Sequence, residues 1–179
     1  MKKGIVVCFP GTGYTCREKL FTLCAEVYEA RGYESVKLDF SHIPFKEIES
    51  LEEAFAFAMR AVKRQLDGVI FKEYDDVVWI SKSLGTVCAA LAEKEMGVYP
   101  RHLILTPVPD TLKEIRPGSS VIAMVLGTAD RFLTGEAMAE YCADRGYRYC
   151  LINGVGHNLK DDDPEQTERI NEQIVSLCD

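Results

Sequence analysis

The chain lacks several features that would assign it to large functional classes. Basic residues are not in excess: 21 Lys and Arg stand against 28 Asp and Glu, a net charge of −7, the wrong sign for neutralising the phosphates of nucleic acid or an anionic membrane. No segment approaches the ~18 uninterrupted apolar residues of a membrane helix. The apolar run Gly4 to Phe9 behind Met1-Lys2-Lys3 is too short for a secretory signal and ends at Pro10-Gly11, so no signal is expected and the expected location is cytoplasmic. The seven cysteines are odd in number and contain no C-x-x-C pair. They read as small core residues in a reducing compartment. With only three histidines, scattered, and no paired cysteines, no metal site is expected. Gly11-x-Gly13 follows an apolar run as in a dinucleotide fingerprint, but Cys16 occupies the third glycine position and no G-K-[ST] follows. Neither cofactor nor metal is expected.

What is present is an α/β pattern. There is no repeat, low-complexity tract or linker, and 179 residues with 47% hydrophobic content fit one domain over residues 1–179. Short apolar runs at Gly4–Phe9, Val77–Ile80, His102–Thr106 and Ser120–Leu126 read as strands covered on both faces. Ser35–Phe40, more polar, reads as an edge strand, and Tyr147–Ile152 as a sixth strand. Between them lie helical patterns. Thr15-x-x-Glu18 and Ser50-x-x-Glu53 read as capping boxes, the second opening a face of Leu51, Ala54, Phe55, Ala58, Val62 and Leu66. A helix with one apolar face follows Ser83, a short one lies near Thr111–Ile115, another spans Thr134–Gly146, and the last starts at Pro164 behind Asp163. Asp161-Asp162-Asp163 reads as a solvated cap on that helix. Alternating strands and helices predict a three-layer α/β/α sandwich with a six-stranded parallel sheet.

Parallel sheets present ligands at the carboxyl ends of their strands. Those ends carry Pro10-Gly11-Thr12-Gly13, His42, Ser83, Pro107–Asp110, Gly127-Thr128-Ala129-Asp130 and Gly154-Val155-Gly156-His157. The run Val77-Val78-Trp79-Ile80-Ser81-Lys82-Ser83-Leu84-Gly85-Thr86 is a strand, a sharp small-x-Ser-x-Gly turn and a helix, which holds a hydroxyl at the tip of the turn. A serine before an apolar helix can also be only its N-cap. Here an aspartate and a histidine end two further strands, in the order Ser83, Asp130, His157.

That order on this pattern resembles the α/β-hydrolase family, from residue 4 to the end of the chain. The family's nucleophile turn, its G-x-x-D acid turn and its G-x-x-H loop are matched by Ser81-Lys82-Ser83-Leu84-Gly85, Gly127-Thr128-Ala129-Asp130 and Gly154-Val155-Gly156-His157. Ser81 stands where the family usually has glycine, the first two strands have no counterpart, and Pro107–Ser119 is too short for a lid. The resemblance therefore implies a minimal, lidless serine hydrolase acting on a small-molecule acyl substrate. In it Ser83 is the nucleophile, His157 its base and Asp130 the residue that orients the imidazole. The oxyanion donors would be the backbone N–H groups of Leu84 and Thr12, with Gly11 and Gly13 letting that loop turn its amides inward. Asp110 is a rival acid, disfavoured because it lacks the G-x-x-D context. Tyr14, Ile43, Val108, Phe132 and Asn158 are expected to wall the pocket, and His42 to border it. His102, at the start of a strand, reads as structural or exposed, and Lys82 as an exposed lysine. Acyl transfer to another acceptor, peptidase action and a non-catalytic binding role all stay open at this level.

Overall fold

A computed structural model describes residues 2–178. Six parallel strands, β1 (Ile5–Phe9), β2 (Glu34–Lys37), β3 (Val77–Lys82), β4 (Arg101–Leu105), β5 (Ser120–Gly127) and β6 (Tyr149–Ile152), form one sheet in the order β2-β1-β3-β4-β5-β6. The helices are α1 (Lys19–Glu29), α2 (Leu51–Gln65), α3 (Leu84–Met96), α4 (Pro109–Glu114), α5 (Gly135–Arg145) and α6 (Pro164–Val175). Alternation along the strands splits the core. Val6, Cys8, Val78 and Ile80 pack under α1 and α6, while Val7, Phe9 and Trp79 face α2 and α3. Ile104, Met124 and Leu126 continue that second face under α5. The layers are those expected of right-handed β-α-β crossovers, and both edges of the sheet are short strands, β2 and β6.

Several boundaries differ from the sequence reading, each for a local reason. Thr15 and Glu18 form a turn, with the Glu18 N–H donating to the Thr15 carbonyl at 3.1 Å, and α1 starts only at Lys19. The second strand runs only to Lys37, although the Leu38 N–H still donates to the Cys8 carbonyl at 3.0 Å; beyond it the outward-facing Asp39 N–H is taken up by the Gln65 side chain at 2.8 Å. Helix α3 is not buried on one face alone: every residue from Leu84 to Ala90 is buried, because this helix lies over the sheet centre with neighbours on both sides. Leu51, placed on the buried face of α2, is instead 66% exposed. The caps at Ser50, Thr134 and Asp163 accept from Glu53, Ala137 and Glu165 amides. Among the described residues no helix is long and apolar enough to cross a membrane.

Candidate active site

The site is built where β3 breaks into α3. Ser83 has φ 54° and ψ −126°, a backbone shape that L-residues adopt only under constraint. The constraint is visible on both sides. The Ser83 N–H donates to the Leu105 carbonyl at 3.1 Å, and the Ser83 carbonyl accepts from the Thr86 hydroxyl at 2.6 Å. Gly85 makes the turn possible, since a Cβ there would collide with the Phe9 and Pro10 carbonyls. Thus the small residue two positions after the serine answers to the end of β1.

Across the sheet edge, two loops are stitched to one another. The Ala129 N–H donates to the Val155 carbonyl at 3.0 Å, the Thr128 N–H to the Ile152 carbonyl at 2.9 Å and the Gly154 N–H to the Thr128 hydroxyl at 2.9 Å. Gly127 is required because any Cβ would enter the Val155 carbonyl. The loops bring Asp130 and His157 together, the latter's Nδ1 lying 2.7 Å from Asp130 Oδ2. Because a carboxylate only accepts, Nδ1 carries the proton and Nε2 is left to accept from the Ser83 hydroxyl, 2.8 Å away. The second Asp130 oxygen accepts from the Phe132 N–H at 2.8 Å. Burial lowers the His157 pKa below its ordinary 6.5; the hydrogen bond to Asp130 opposes this and the neighbouring Lys82 cation adds to it. The imidazole is therefore neutral near pH 7.

Of the two amides named for an oxyanion, Leu84 opens α3, where no preceding turn supplies an acceptor. Among the described residues the Thr12 N–H also has no hydrogen-bond partner, and Gly11 lies directly against Ser83. Asp110 does not reach the histidine; it pairs with Lys113 at 2.8 Å.

The expected pocket wall needs revision. Ile43 is a core residue, 7% exposed, and His42 accepts from Arg64 in a separate groove beside α2. Tyr14 lies over the Lys82 ammonium, 4.6 Å from ring centre to Nζ. Asn158 turns back on its own loop, accepting from the Lys160 N–H. Val108 precedes α4 beside the first turn of α3, and Phe132 packs edge-on against the His157 ring at 4.6 Å while remaining partly exposed. An open groove of about 420 Å³ was missed; it is lined by Thr12, Phe45, Ile48, Leu51, Ala54 and Leu84. Ile48 and Leu51 sit three apart, but their exposure depends on where the Phe45 loop packs, which periodicity does not reveal.

Lys82 is the largest departure. Far from exposed, it is 1% accessible, with Nζ donating to the Thr106 hydroxyl at 2.8 Å and the His157 carbonyl at 2.6 Å. The signal was there, since Val78, Ile80 and Lys82 share one face of a strand covered on both sides. His102 is structural: buried, it meets Glu93 at 3.1 Å at the start of β4. Among the described residues no group of three or more His, Cys, Asp or Glu gathers as metal ligands do.

No protein-family model matches the chain, and no curated protein matches it by sequence. Solved structures do resemble it. An alpha-beta serine hydrolase homologue from Coxiella burnetii is 15% identical, superposing 97% of this chain on 84% of that one with a TM-score of 0.66. An alpha/beta superfamily protein from Xanthomonas campestris pv. campestris is 16% identical over 99% of this chain and 98% of that one, with a TM-score of 0.62. A Xanthomonas campestris protein described as an a/b serine hydrolase without lid is 13% identical over 97% and 79%, with a TM-score of 0.65. With six parallel strands in this order and helices on both faces, the chain has the α/β-hydrolase fold.

Proposed function

We propose that the protein is a serine hydrolase that cleaves an ester, thioester or related acyl bond through an acyl-serine intermediate. The observation that carries the reading is the unbroken line Ser83 hydroxyl, His157 imidazole, Asp130 carboxylate, with contacts of 2.8 and 2.7 Å. A serine hydroxyl is a weak nucleophile near neutral pH and needs a base within hydrogen-bond reach. The neutral Nε2 of His157 takes the Ser83 proton as Oγ attacks the acyl carbonyl, and the Nδ1–H bond to Asp130 stabilises the imidazolium formed. The carbonyl oxygen becomes an oxyanion facing the Leu84 and Thr12 amides and the positive end of α3. His157 then returns the proton to the leaving group. Water, deprotonated by the same nitrogen, releases the acid and restores Ser83.

The groove beside Thr12 and Leu84 gives the acyl side of the substrate. Phe45, Ile48, Leu51, Ala54 and Leu84 give it an apolar strip, with Lys46 and Glu49 also on the wall, and it opens to solvent, so it suits an acyl chain lying along the surface. The β4–β5 connection holds only the six-residue α4 and places no cap over the groove. Replacing Ser83 by alanine is expected to abolish both turnover of activated acyl esters and covalent labelling by a fluorophosphonate. Labelling that persisted in Ser83→Ala would refute the assignment. Comparing ester chain lengths in the wild type, with Leu51→Glu as control, tests the groove: the preference for longer acyl groups should weaken in the variant.

A further inference from the structure

Lys82 has a place in this site that the acyl-transfer steps do not use. Its ammonium is buried under the Tyr14 ring and cannot touch a substrate, yet it spans three strand ends: its own β3, Thr106 after β4, and the His157 loop after β6. Thr106 has φ 45°, an unfavourable shape for a β-branched residue. What that position supplies is a hydroxyl 2.8 Å from the ammonium. The bond to the His157 carbonyl, at 2.6 Å, is a charge-assisted contact to the backbone of the very residue whose ring meets Ser83.

We propose that Lys82 is a positioning residue for His157: its ammonium ties the His157 backbone to Thr106, sets the imidazole at the height of Ser83, and opposes a second positive charge on the ring. The proposal rests on reading Ser83, His157 and Asp130 as an acyl-transfer site. Two effects follow from one bond. The first is geometric: a loop held only by its own turns would let the imidazole drift, and a displacement near 1 Å costs on the order of a hundredfold in rate. The second is electrostatic: a cation beside the imidazole favours its neutral form, the form that accepts the Ser83 proton. Both groups have charged neighbours on every side. Lys82 is faced by Asp130 after β5, Glu18 before α1 and Lys160 before α6, besides Tyr14 and His157 themselves; His157 is faced by Asp130, Arg131 and Lys82. Glu18 and Lys160 neutralise one another at 2.8 Å, so the net field at the imidazole comes from Asp130, Arg131 and Lys82. Burial holds the Lys82 pKa near 7, so the cation is present on the acid side of neutrality, where His157 titrates.

The test is to titrate histidine labelled with carbon-13 by NMR in the wild type and in Lys82→Met, the His157 resonance being identified by its loss in His157→Gln. The His157 pKa is expected to rise by about one pH unit in Lys82→Met, and kcat on an activated ester to fall about tenfold to a hundredfold with KM within about twofold. An unmoved titration overturns the proposal, even with kcat lowered, because Lys82 would then be only a prop. If Lys82→Met does not fold, the same titration is made on Thr106→Val. There the ammonium has one acceptor fewer and loses its proton at lower pH, so His157 should move in the same direction by less; no movement overturns the proposal there too. Should the wild type turn over no acyl substrate, the titration still decides the placement of His157 by Lys82, separately from the reaction assigned to the site.

Discussion

A buried lysine makes a prediction about folding that needs no substrate. Burial lowers the Lys82 pKa from 10.5 to about 7, Asp130 partly offsetting the effect and Lys160 adding to it. In the folded chain the proton leaves near pH 7, whereas in the unfolded chain it is held until the ordinary lysine value. Between the two the unfolded state binds more protons, so stability rises with pH. The penalty is fully present below the folded pKa and is gone above the unfolded one. Its slope approaches 1.36 kcal/mol per pH unit, so between about pH 7 and pH 9 it amounts to about 2 to 3 kcal/mol.

The perturbation is Lys82→Met, which keeps the aliphatic stem and removes the charge. Urea unfolding can be followed through Trp79, the sole tryptophan and fully buried. Absolute curves are no guide, because burial raises the thiol pKa of Cys88 and Cys142. Such groups ionise first in the unfolded chain and lower stability as pH rises through their ordinary values. They are common to both proteins and cancel in the difference. Tyr14 touches Lys82 and would not cancel, so the comparison stops near pH 9, below the ordinary tyrosine value. Wild type minus variant should rise by the amount worked out above at equal m-values. At the neutral end the sign is open to competition, since the variant sheds a buried charge but leaves the Thr106 hydroxyl and His157 carbonyl without their donor, at about 1–3 kcal/mol each. The slope is the test. A difference that stayed flat with pH would mean that Lys82 keeps an ordinary pKa, and the burial argument would fail.

Other expectations follow from the same turn. Ser81 is buried and its hydroxyl has no partner among the described residues, so Ser81→Ala should stabilise the fold by about 1 kcal/mol, seen as a higher urea midpoint at unchanged slope. Gly85→Ala should cost more than about 3 kcal/mol, because the backbone carbonyls of Phe9 and Pro10 cannot yield; near-wild-type stability would refute the packing account. The acid limb of kcat/KM should titrate below 6.5, following the lowered His157 pKa; an apparent value above 6.5 would count against His157 as the base.

The parts legible in the sequence are those where backbone sterics force a residue type. Gly85 and Gly127 each face a carbonyl of another loop, so the small-x-Ser-x-Gly and G-x-x-D patterns carry tertiary information in local form. The apolar runs of the central strands likewise report cover on both faces of the sheet. The misreadings occur where tertiary packing decides. Thr15-x-x-Glu18 has the letters of a capping box, but the Thr15 hydroxyl accepts from the Arg17 N–H at 3.3 Å and its carbonyl from the Glu18 N–H at 3.1 Å, closing a turn ahead of α1 instead. The polarity of Lys82 suggests exposure, but its position in the strand, on the face of Val78 and Ile80, puts it beneath α1 and α6. Helical spacing puts Leu51 on the apolar face of α2 but is blind to the open groove it borders.

The cost of the site is concentrated in a few neighbouring residues. Ser81 buries an unpaired hydroxyl, Lys82 buries a charge and Ser83 holds a positive φ, so three consecutive residues each oppose folding. Among the described residues the only other non-glycine positions with positive φ are Thr106, which accepts from Lys82, and Leu159, two residues beyond His157. Strain of this kind costs about 1–3 kcal/mol per residue. Glycine at Thr106 or Leu159 would relieve the backbone, but at Thr106 it would remove the acceptor that seats the ammonium. Elsewhere caps, strand alternation and turn glycines agree with the fold. Buried polar atoms without a partner also occur at Tyr28, Trp79, Tyr141 and Tyr147, but the positive-φ non-glycine residues and the buried Lys82 gather at the carboxyl ends of the strands, the pattern expected where a structure is shaped by chemistry at the expense of stability. That argument reaches Ser83, Lys82 and His157 together without appeal to any similar protein.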